Sequence, residues 1–403
     1  MATIGDRLAE LRTRRALTQE ELAEQSGVSV AVIRKLEQND RTSARMVTLH
    51  RLASALDVTT SDLLRPAPSL AGPPSEPDTL AVLALRQALT PIRSIPGALA
   101  QDGPAEPASP ADVRASLSTA LDLYQDSRLS ATVTALTALL ADLRRIEPAS
   151  GQQAEVLGLN AEAHQLAASV LAQLRLFDLA YLAIDRAMDD AEAAGDPLLG
   201  AAIASTLTFL LLRQGRIEEA LQVAVRTADA IEPKLSTATP AHAAVWGRLL
   251  ILGSGAAVRN NQHDQADEML LLARAAASRV PATDFALASP ASFGRERVSM
   301  QDVENQVMAG HPDKALRLAD RIPSVDMDQA SHHLLDVASA QTDLRRYTDA
   351  TDTLMRVYDA VPEWLRYQPY ASETVCRLLG ARKRTLSRDL RTLADFLAVE
   401  TCS

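Results

Sequence analysis

Residues 17–29 read LTQEELAEQSGVS, and this stretch decides how the first part of the chain folds. Thr18 is followed three residues later by Glu21, which is a capping-box signature for the start of a helix. Gly27 ends that helix, because glycine can adopt the positive φ that a tight turn requires. Ser29 then offers an N-cap for the next helix. The pattern therefore predicts a helix, a tight turn and a second helix.

Apolar periodicity on both sides extends this pattern to a small domain over residues 1–65. We expect further helices over 4–15, 46–56 and 60–64, and we expect the helix after the turn to run over 30–37. The shared core would contain Leu22, Val28, Ile33 and Leu36.

Composition gives the fold class of the whole chain. Its 403 residues are 47 % hydrophobic but only 3 % aromatic. This length fits two or three domains, and alanine and leucine favour helices over sheet, so we expect an all-α protein. The apolar run near 206–212 is too short to span a bilayer, which predicts a cytoplasmic protein without a membrane partner.

Residues 4–64 resemble the XRE class of bacterial regulators, the lambda-repressor-like helix-turn-helix family. The resemblance rests on residues 17–29, on Ile33, on Leu36-Glu37 and on LASALDV at 52–58. It implies that the third helix enters the major groove of double-stranded DNA. It also implies phosphate contacts from the start of the second helix and from the loop after the third.

The DNA-contacting positions of that family fall on ten residues of this chain. Arg34 and Lys35 would donate to guanine, whereas Val30 and Ala31 would contact thymine methyl groups. The implied phosphate contacts are Gln19, Arg41, Thr42, Ser43 and Arg45, and Ser29 is counted with the contacts. For each residue the alternative is a solvated surface position. Arg12 differs, because the resemblance implies that it faces inward and pairs with Glu37.

The charge of this domain limits how tightly one copy can bind DNA. Residues 1–65 carry ten Lys and Arg against nine Asp and Glu, so a single copy should release few counterions. Tight binding then requires a homodimer on a palindromic operator with half-sites about one helical turn apart. The loop over 39–45 is one residue longer than the family pattern, which weakens the assignment of the phosphate contacts.

Prolines interrupt residues 66–110, where we expect a linker with a short helix at 79–90. Residues 111–403 instead show a repeated frame, in which a small residue marks the crossing of two helices every 35–49 residues. The frame resembles a tetratricopeptide repeat, preceded by a degenerate unit at 112–145 and closed by a cap at 372–399. The crossing residues are Ala180, Ala220, Ala266, Ala315 and Ala350.

A helical solenoid curls so that the first helix of each pair lines a concave groove, where such arrays bind ligands. The resemblance places eight residues in that groove. Its four arginines suggest an anionic ligand or a peptide carboxylate, and helix-to-helix ion pairs are the alternative. The eight groove residues are Gln173, Arg213, Arg248, Arg259, Arg297, Met308, His332 and Asp343.

Motifs that would indicate chemistry are absent from the sequence. It contains no G-x-x-x-x-G-K-[ST] loop, and the adjacent His332 and His333 cannot form an i, i+4 metal pair. Two cysteines, Cys376 and Cys402, predict reduced thiols in an intracellular protein. We expect no enzyme activity, no metal and no cofactor.

Together these patterns predict a cytoplasmic, sequence-specific transcriptional regulator. Its repeats would form a homodimer and sense a peptide or small-molecule effector. Residues 292–294, Ser-Phe-Gly, resemble the repeat-bearing XRE regulators common in actinobacteria. The alternatives are a protein-interaction scaffold and an antitoxin-like repressor, in which the repeats bind a partner protein.

Overall fold

The computed structural model of the chain is all-α: its described part contains twenty helices and no strand. The structure describes residues 4–15, 17–38, 44, 46–56, 58, 79–90, 108–146, 150–280, 292–323, 327–381 and 386–399. Four helices form the N-terminal head: α1 (Ile4–Arg14), α2 (Gln19–Ser26), α3 (Val30–Glu37) and α4 (Met46–Ala55). The helix predicted over 60–64 lies outside the described residues.

The head follows the local signals of its sequence. The side chain of Thr18 accepts a hydrogen bond from the Glu21 backbone N–H and Glu21 returns one, which confirms the capping box. Gly27 ends α2 with φ +64°, as the turn requires. Ser29 occupies the N-cap position of α3 as predicted, and its side chain forms no capping hydrogen bond. Leu22, Ile33 and Leu36, with Leu8, Leu49, Leu52 and Leu56, are almost fully buried.

One helix of the predicted linker packs against the repeats. Helix α5 (Thr79–Leu89) buries Leu85 and Leu89 completely in the same core as the first helix pairs. Nη1 of Arg144 also donates to the Ala88 carbonyl at 2.7 Å. The proline-rich segments therefore flank a helix that belongs to the packed repeat region.

Six helix pairs follow, and three further helices close the described array. The pairs are α6 (Pro110–Gln125) with α7 (Leu129–Leu143), α8 (Gln153–Gln173) with α9 (Phe177–Ala194), α10 (Pro197–Arg213) with α11 (Ile217–Ala230), α12 (Pro240–Arg259) with α13 (His263–Ala277), α14 (Arg295–Met308) with α15 (Pro312–Ala319), and α16 (Met327–Asp343) with α17 (Tyr347–Ala360). The closing helices are α18 (Pro362–Arg366), α19 (Pro369–Ala381) and α20 (Arg388–Phe396).

The same backbone conformation recurs in the turn of every pair. Two residues before each second helix, the chain adopts a positive φ between 57° and 79°. This conformation reverses the chain in three residues, so that the two helices of a pair pack antiparallel. The turn residues are Ser127, Arg175, Gly215, Asn261, Gly310 and Arg345. The five predicted crossing alanines begin the buried face of the second helices, each with at most 1 % of its surface exposed. The helical-repeat architecture is thus confirmed.

The array closes on itself, which the sequence did not indicate. At the start of α7, the backbone N–H of Ser130 donates to Oε1 of Glu363 in α18 at 2.6 Å. Leu129 is buried in one core with the closing helices. Nη1 of Arg213 donates to Oε1 of Gln368 at 2.9 Å, which ties α10 to the segment between α18 and α19. The concave groove expected of an open solenoid is therefore bridged by these contacts.

Two expectations about the chain as a whole need correction. Helix α12 is long and apolar enough to cross a membrane by length and composition, although we had found no such segment; however, 83 % of its apolar window is buried inside the protein, as in a core helix. Cys376 is disulfide-bonded in the structure, so the prediction of a reduced thiol is wrong.

The turn residues allow a test of the repeat geometry. Arg345 is exposed and holds φ +61°, a conformation that costs a side-chain-bearing residue about 1–2 kcal/mol. We expect Arg345→Gly to raise the free energy of unfolding by about 0.5–1 kcal/mol, measured by urea denaturation. Gly215→Ala, at the same position of another pair, should lower it by about 1 kcal/mol. Equal effects of the two changes would contradict a shared turn.

Candidate nucleic-acid interface and cavity

Helix α3 presents a solvent-accessible face opposite its core side. Ala31, Arg34 and Lys35 are exposed and Val30 is half-buried, whereas Ile33 and Leu36 point into the head. Their order follows from helical periodicity, since residues three and four apart share one face. An exposed face with two cations and two small apolar side chains can reach both phosphates and base edges.

A buried ion pair fixes this helix to the rest of the head. Nε and Nη2 of Arg12 in α1 donate to the two carboxylate oxygens of Glu37 at 2.7 and 2.9 Å, as the resemblance implied. Burial would raise the pKa of Glu37, but hydrogen bonds from Arg12 and Gln19 lower it below its usual value. The Glu37 side chain is 7 % exposed, so its charge depends on these two partners.

Gln19 connects this ion pair to the exposed face. Its Nε2 donates to Oε2 of Glu37 at 2.7 Å, and its Oε1 accepts from Nε of Arg34 at 3.4 Å. Nη2 of Arg34 also lies 3.7 Å from a carboxylate oxygen of Glu20. Gln19, which we predicted as a phosphate contact, therefore also orients a side chain of the reading helix.

The other predicted DNA contacts divide into two groups. Ser29 is exposed at the start of α3, beside Val30 and Ala31. Four predicted phosphate contacts lie outside the described residues: Arg41, Thr42, Ser43 and Arg45. DNA contact by any of the ten residues stays a prediction.

The head rests on the turns of two helix pairs, and we call this contact the seam. Nη2 of Arg51 in α4 donates to the Gly310 carbonyl at 3.2 Å. Nδ2 of Asn261 donates to the Val58 carbonyl at 2.9 Å. The rings of His50 and His263 meet edge to face, with centroids 5.2 Å apart. Because Asn261 and Gly310 are the positive-φ turn residues of their pairs, the repeat geometry itself presents the seam.

Behind the seam lies a cavity of about 600 Å³, which the curled array surrounds and which is partly open to solvent. All eight residues predicted for the groove line it, and so does Val47 of α4 in the head. Five of the eight are the last residues of the first helices in their pairs: Gln173, Arg213, Arg259, Met308 and Asp343. The structure brings the predicted groove residues together, and ligand binding by them stays a prediction.

The sequence missed the residues that close this cavity. Tyr124 of α6 lines it from the first helix pair, and Trp364, Gln368 and Arg377 line it from the closing segment. Asp336 lines it one turn beyond His332 in α16. The ring of His332 meets that of Trp364 edge to face at 4.5 Å. No repeat pattern marks the residues of the closing segment, because they reach the cavity only when the ends of the array meet, whereas the position of Asp336 follows from that of His332.

Ion pairs between helices, the alternative to anion binding by the groove arginines, are present in part of the groove. Nη2 of Arg259 lies 2.6 Å from Oε1 of Glu304, which joins α12 to α14. Asp343 pairs with Arg377 across α16 and α19. Among the described residues, Arg213 and Arg248 form no ion pair. The four groove arginines therefore do not share one role.

Burial sets the ionisation of the cavity. It lowers the pKa of Arg248 to about 9 and of Arg213 to about 10, and nearby arginines contribute to both shifts. Burial, with these same cations, lowers the pKa of His332 well below its usual value. Burial raises the pKa of Asp336 well above its usual value. At neutral pH the arginines stay charged while His332 is neutral.

The seam can be weakened without damage to its turn. Asn261→Gly removes the hydrogen bond to Val58 but keeps a residue that accepts φ +60°. We expect amides of α4 to exchange hydrogen about fivefold faster, because one hydrogen bond contributes about 1 kcal/mol. Arg345→Gly changes the same turn position away from the head and is the matched control. The seam assignment fails if both variants change α4 exchange equally.

Acid should also release the head. Burial is the main cause that lowers the pKa of His50 to about 4, and the nearby charges of His263, Arg259 and Arg51 lower it further. A released His50 with an ordinary pKa near 6.5 binds a proton more readily, so docking weakens as pH falls from about 6.5 towards 4. At pH 5 the loss is about 2 kcal/mol. Energy transfer between dyes on α1 and α20 should report the release of the head as the pH falls. His50→Gln should make this signal less dependent on pH. A pH-independent signal in the unaltered protein would refute it.

Comparison with known proteins is informative for the head. The chain is 37 % identical over 76 residues to the uncharacterized HTH-type transcriptional regulator RghRB of Bacillus subtilis (strain 168), over 19 % of this chain and 55 % of that protein. The chain thus spans about half the length of that relative. No solved structure matches the chain. The model of a family described as helix-turn-helix matches residues 8–63, so the head is a helix-turn-helix domain.

Proposed function

We propose that this protein is a sequence-specific, DNA-binding transcriptional regulator of the cytoplasm. The observation that carries the proposal is the exposed face of α3, with Ala31, Arg34 and Lys35, on a helix-turn-helix head held by a buried ion pair. In such heads this helix enters the major groove, where arginine can donate to guanine O6 and N7. The similarity to a protein named as a transcriptional regulator supports the same function.

The operator should be read by a homodimer. The head is nearly neutral, so one copy gains little from counterion release, and two heads on two half-sites would restore tight binding. The repeats supply the dimer contact, since they form most of the chain. Sedimentation of the purified protein with and without operator DNA measures the number of copies bound.

The repeats should also make DNA binding respond to an effector. Val47 of α4 belongs to the head and lines the cavity of the repeats, so a molecule in the cavity would touch the head directly. A molecule that binds better when the head is docked favours that arrangement, and one that binds better without it favours release. Either would change the spacing of two heads on DNA.

Sequencing of DNA fragments retained by the full-length protein tests the proposal. We expect an enriched motif with two symmetric half-sites about one helical turn apart. Replacing Arg34 and Lys35 by alanine should weaken binding to that motif at least tenfold, because each base contact contributes about 1–3 kcal/mol. The double change Arg114→Ala with Arg226→Ala, which removes two exposed arginines of the repeats, is the charge-matched control. Absence of any enriched motif would refute the function.

A further inference from the structure

The described lining of the cavity contains five arginines and four carboxylate side chains, so positive charge is in excess. Arg259 is paired with Glu304 and Arg377 with Asp343, so two of its cations are satisfied within the protein. Arg213 and Arg248 also line the cavity, and no carboxylate of the described residues pairs with either of them. Charge on these two arginines is therefore available to a bound molecule.

Both arginines also leave hydrogen-bond donors unused. Nη2 of Arg213 and Nε of Arg248 are inaccessible to solvent and have no hydrogen-bond partner. A charged donor without a partner or water is costly in a folded protein and marks a place where a partner fits. Arg213 lies in the last turn of α10, where the helix dipole favours a cation, but Arg248 lies in the middle of α12 without that support. Arg248 is therefore the stronger indication that a partner binds in the cavity.

The rest of the cavity lining indicates what kind of bound molecule fits beside the two arginines. Phe209, Ile251, Leu252 and Trp364 line it alongside the polar groups. Its volume of about 600 Å³ falls in the range of about 300–1,000 Å³ that small-molecule sites occupy. The contact between Ser130 and Glu363 joins two sides of this cavity, which stays partly open to solvent. These features favour a small molecule with an apolar body over an extended peptide.

We propose that the cavity binds a small organic anion, with a carboxylate or phosphate headgroup at Arg213 and Arg248 and an apolar body against Trp364. This inference rests on the effector role proposed above and names the class of effector. Guanidinium groups bind both headgroups through paired, charge-assisted hydrogen bonds. Anion binding would supply partners for the two unused donors and offset the repulsion of Arg213 by Arg175 and of Arg248 by Arg297.

Calorimetric titration of the full-length protein tests this class with defined probes. We expect benzoate and phenyl phosphate to bind, and benzyl alcohol, which has the same ring but no charge, to bind at least tenfold more weakly. Inorganic phosphate, which lacks the apolar body, should also bind at least tenfold more weakly. The stronger of benzoate and phenyl phosphate identifies the headgroup. Absence of binding by both, or equal binding of benzyl alcohol, overturns the inference.

Arg248→Met separates a binding role from a structural one. We expect it to weaken binding of the anionic probe at least tenfold and to raise the melting temperature of the ligand-free protein by roughly 2 °C, because it removes an unpaired buried charge. Arg274→Met, which removes an arginine paired with Asp302 outside the cavity, should leave probe binding unchanged. If Arg248→Met lowers the melting temperature and leaves probe binding intact, Arg248 is structural and the inference is wrong.

Operator binding distinguishes this inference from the proposed function. If the protein binds a specific motif but none of the anionic probes, the inference fails and the DNA-binding function stands. If it binds the anions but enriches no DNA motif, the function fails while the cavity assignment stands. If a probe changes the affinity of the protein for the motif at least twofold, anion binding in the cavity regulates DNA binding.

Discussion

The Glu37→Ala variant is expected to lose about 3 kcal/mol of head stability and to lose specific DNA binding. The change leaves the guanidinium of Arg12, whose side chain is only 18 % exposed, without its carboxylate. Gln19 also loses the acceptor at 2.7 Å that orients it towards Arg34. Both tryptophans, Trp246 and Trp364, lie in the repeats, so tryptophan fluorescence does not report on the head. Hydrogen exchange of α2 and α3 amides measures the stability of the head instead.

Two further variants separate the stability of the head from the position of its reading helix. Glu24→Ala removes an exposed carboxylate from α2 and should change neither exchange nor DNA binding. The double change Arg12→Met with Glu37→Leu replaces the ion pair by apolar contacts and should restore most of the stability. It should still bind DNA at least tenfold more weakly, since Gln19 stays unanchored. Wild-type DNA affinity in the double variant would show that the network does not position Arg34.

The second large effect is expected at Gly247 of α12. A methyl group there would lie 2.0 Å from Cζ of Phe293, and the ring is fully buried. Gly247→Ala must therefore displace the ring, and overpacking of this kind costs about 3 kcal/mol. The neighbouring Trp246 is buried, so its fluorescence during urea denaturation reports the loss.

Gly200→Ala is the matched control for this position. Gly200 lies inside α10 with nothing within 4 Å of an added methyl group, so alanine should stabilise the helix by about 0.5–1 kcal/mol. Combining Gly247→Ala with Phe293→Leu should recover part of the loss, because leucine leaves room for the methyl group. If Gly247→Ala behaves like Gly200→Ala, Phe293 does not pack where the structure places it.

Local signals predicted the head and the repeat frame because each depends on residues close in sequence. The capping box at Thr18 and Glu21 and the turn at Gly27 are completed within ten residues. The groove residues could be predicted for the same reason. Arg248 and Arg259 are separated by eleven residues, as are Arg297 and Met308, and eleven residues make about three helical turns, so each pair shares one helix face.

Contacts between distant parts of the chain had no such signal. Ser130 meets Glu363 and Arg213 meets Gln368 only because small rotations between successive helix pairs accumulate until the ends touch. The seam between Asn261 and Val58 likewise joins residues that are far apart in the sequence. Tyr124 and Trp364, which line the cavity, could not be predicted, because neither occupies a repeated position.

Closure of the array also constrains how this protein can change length during evolution. An open solenoid can gain or lose a helix pair at little cost, since each unit contacts only its neighbours. Here an added or deleted pair would separate Ser130 from Glu363 and pull apart the two sides of the cavity. New specificities should therefore arise by substitution of the inward-facing side chains, at a fixed number of six helix pairs in the described chain.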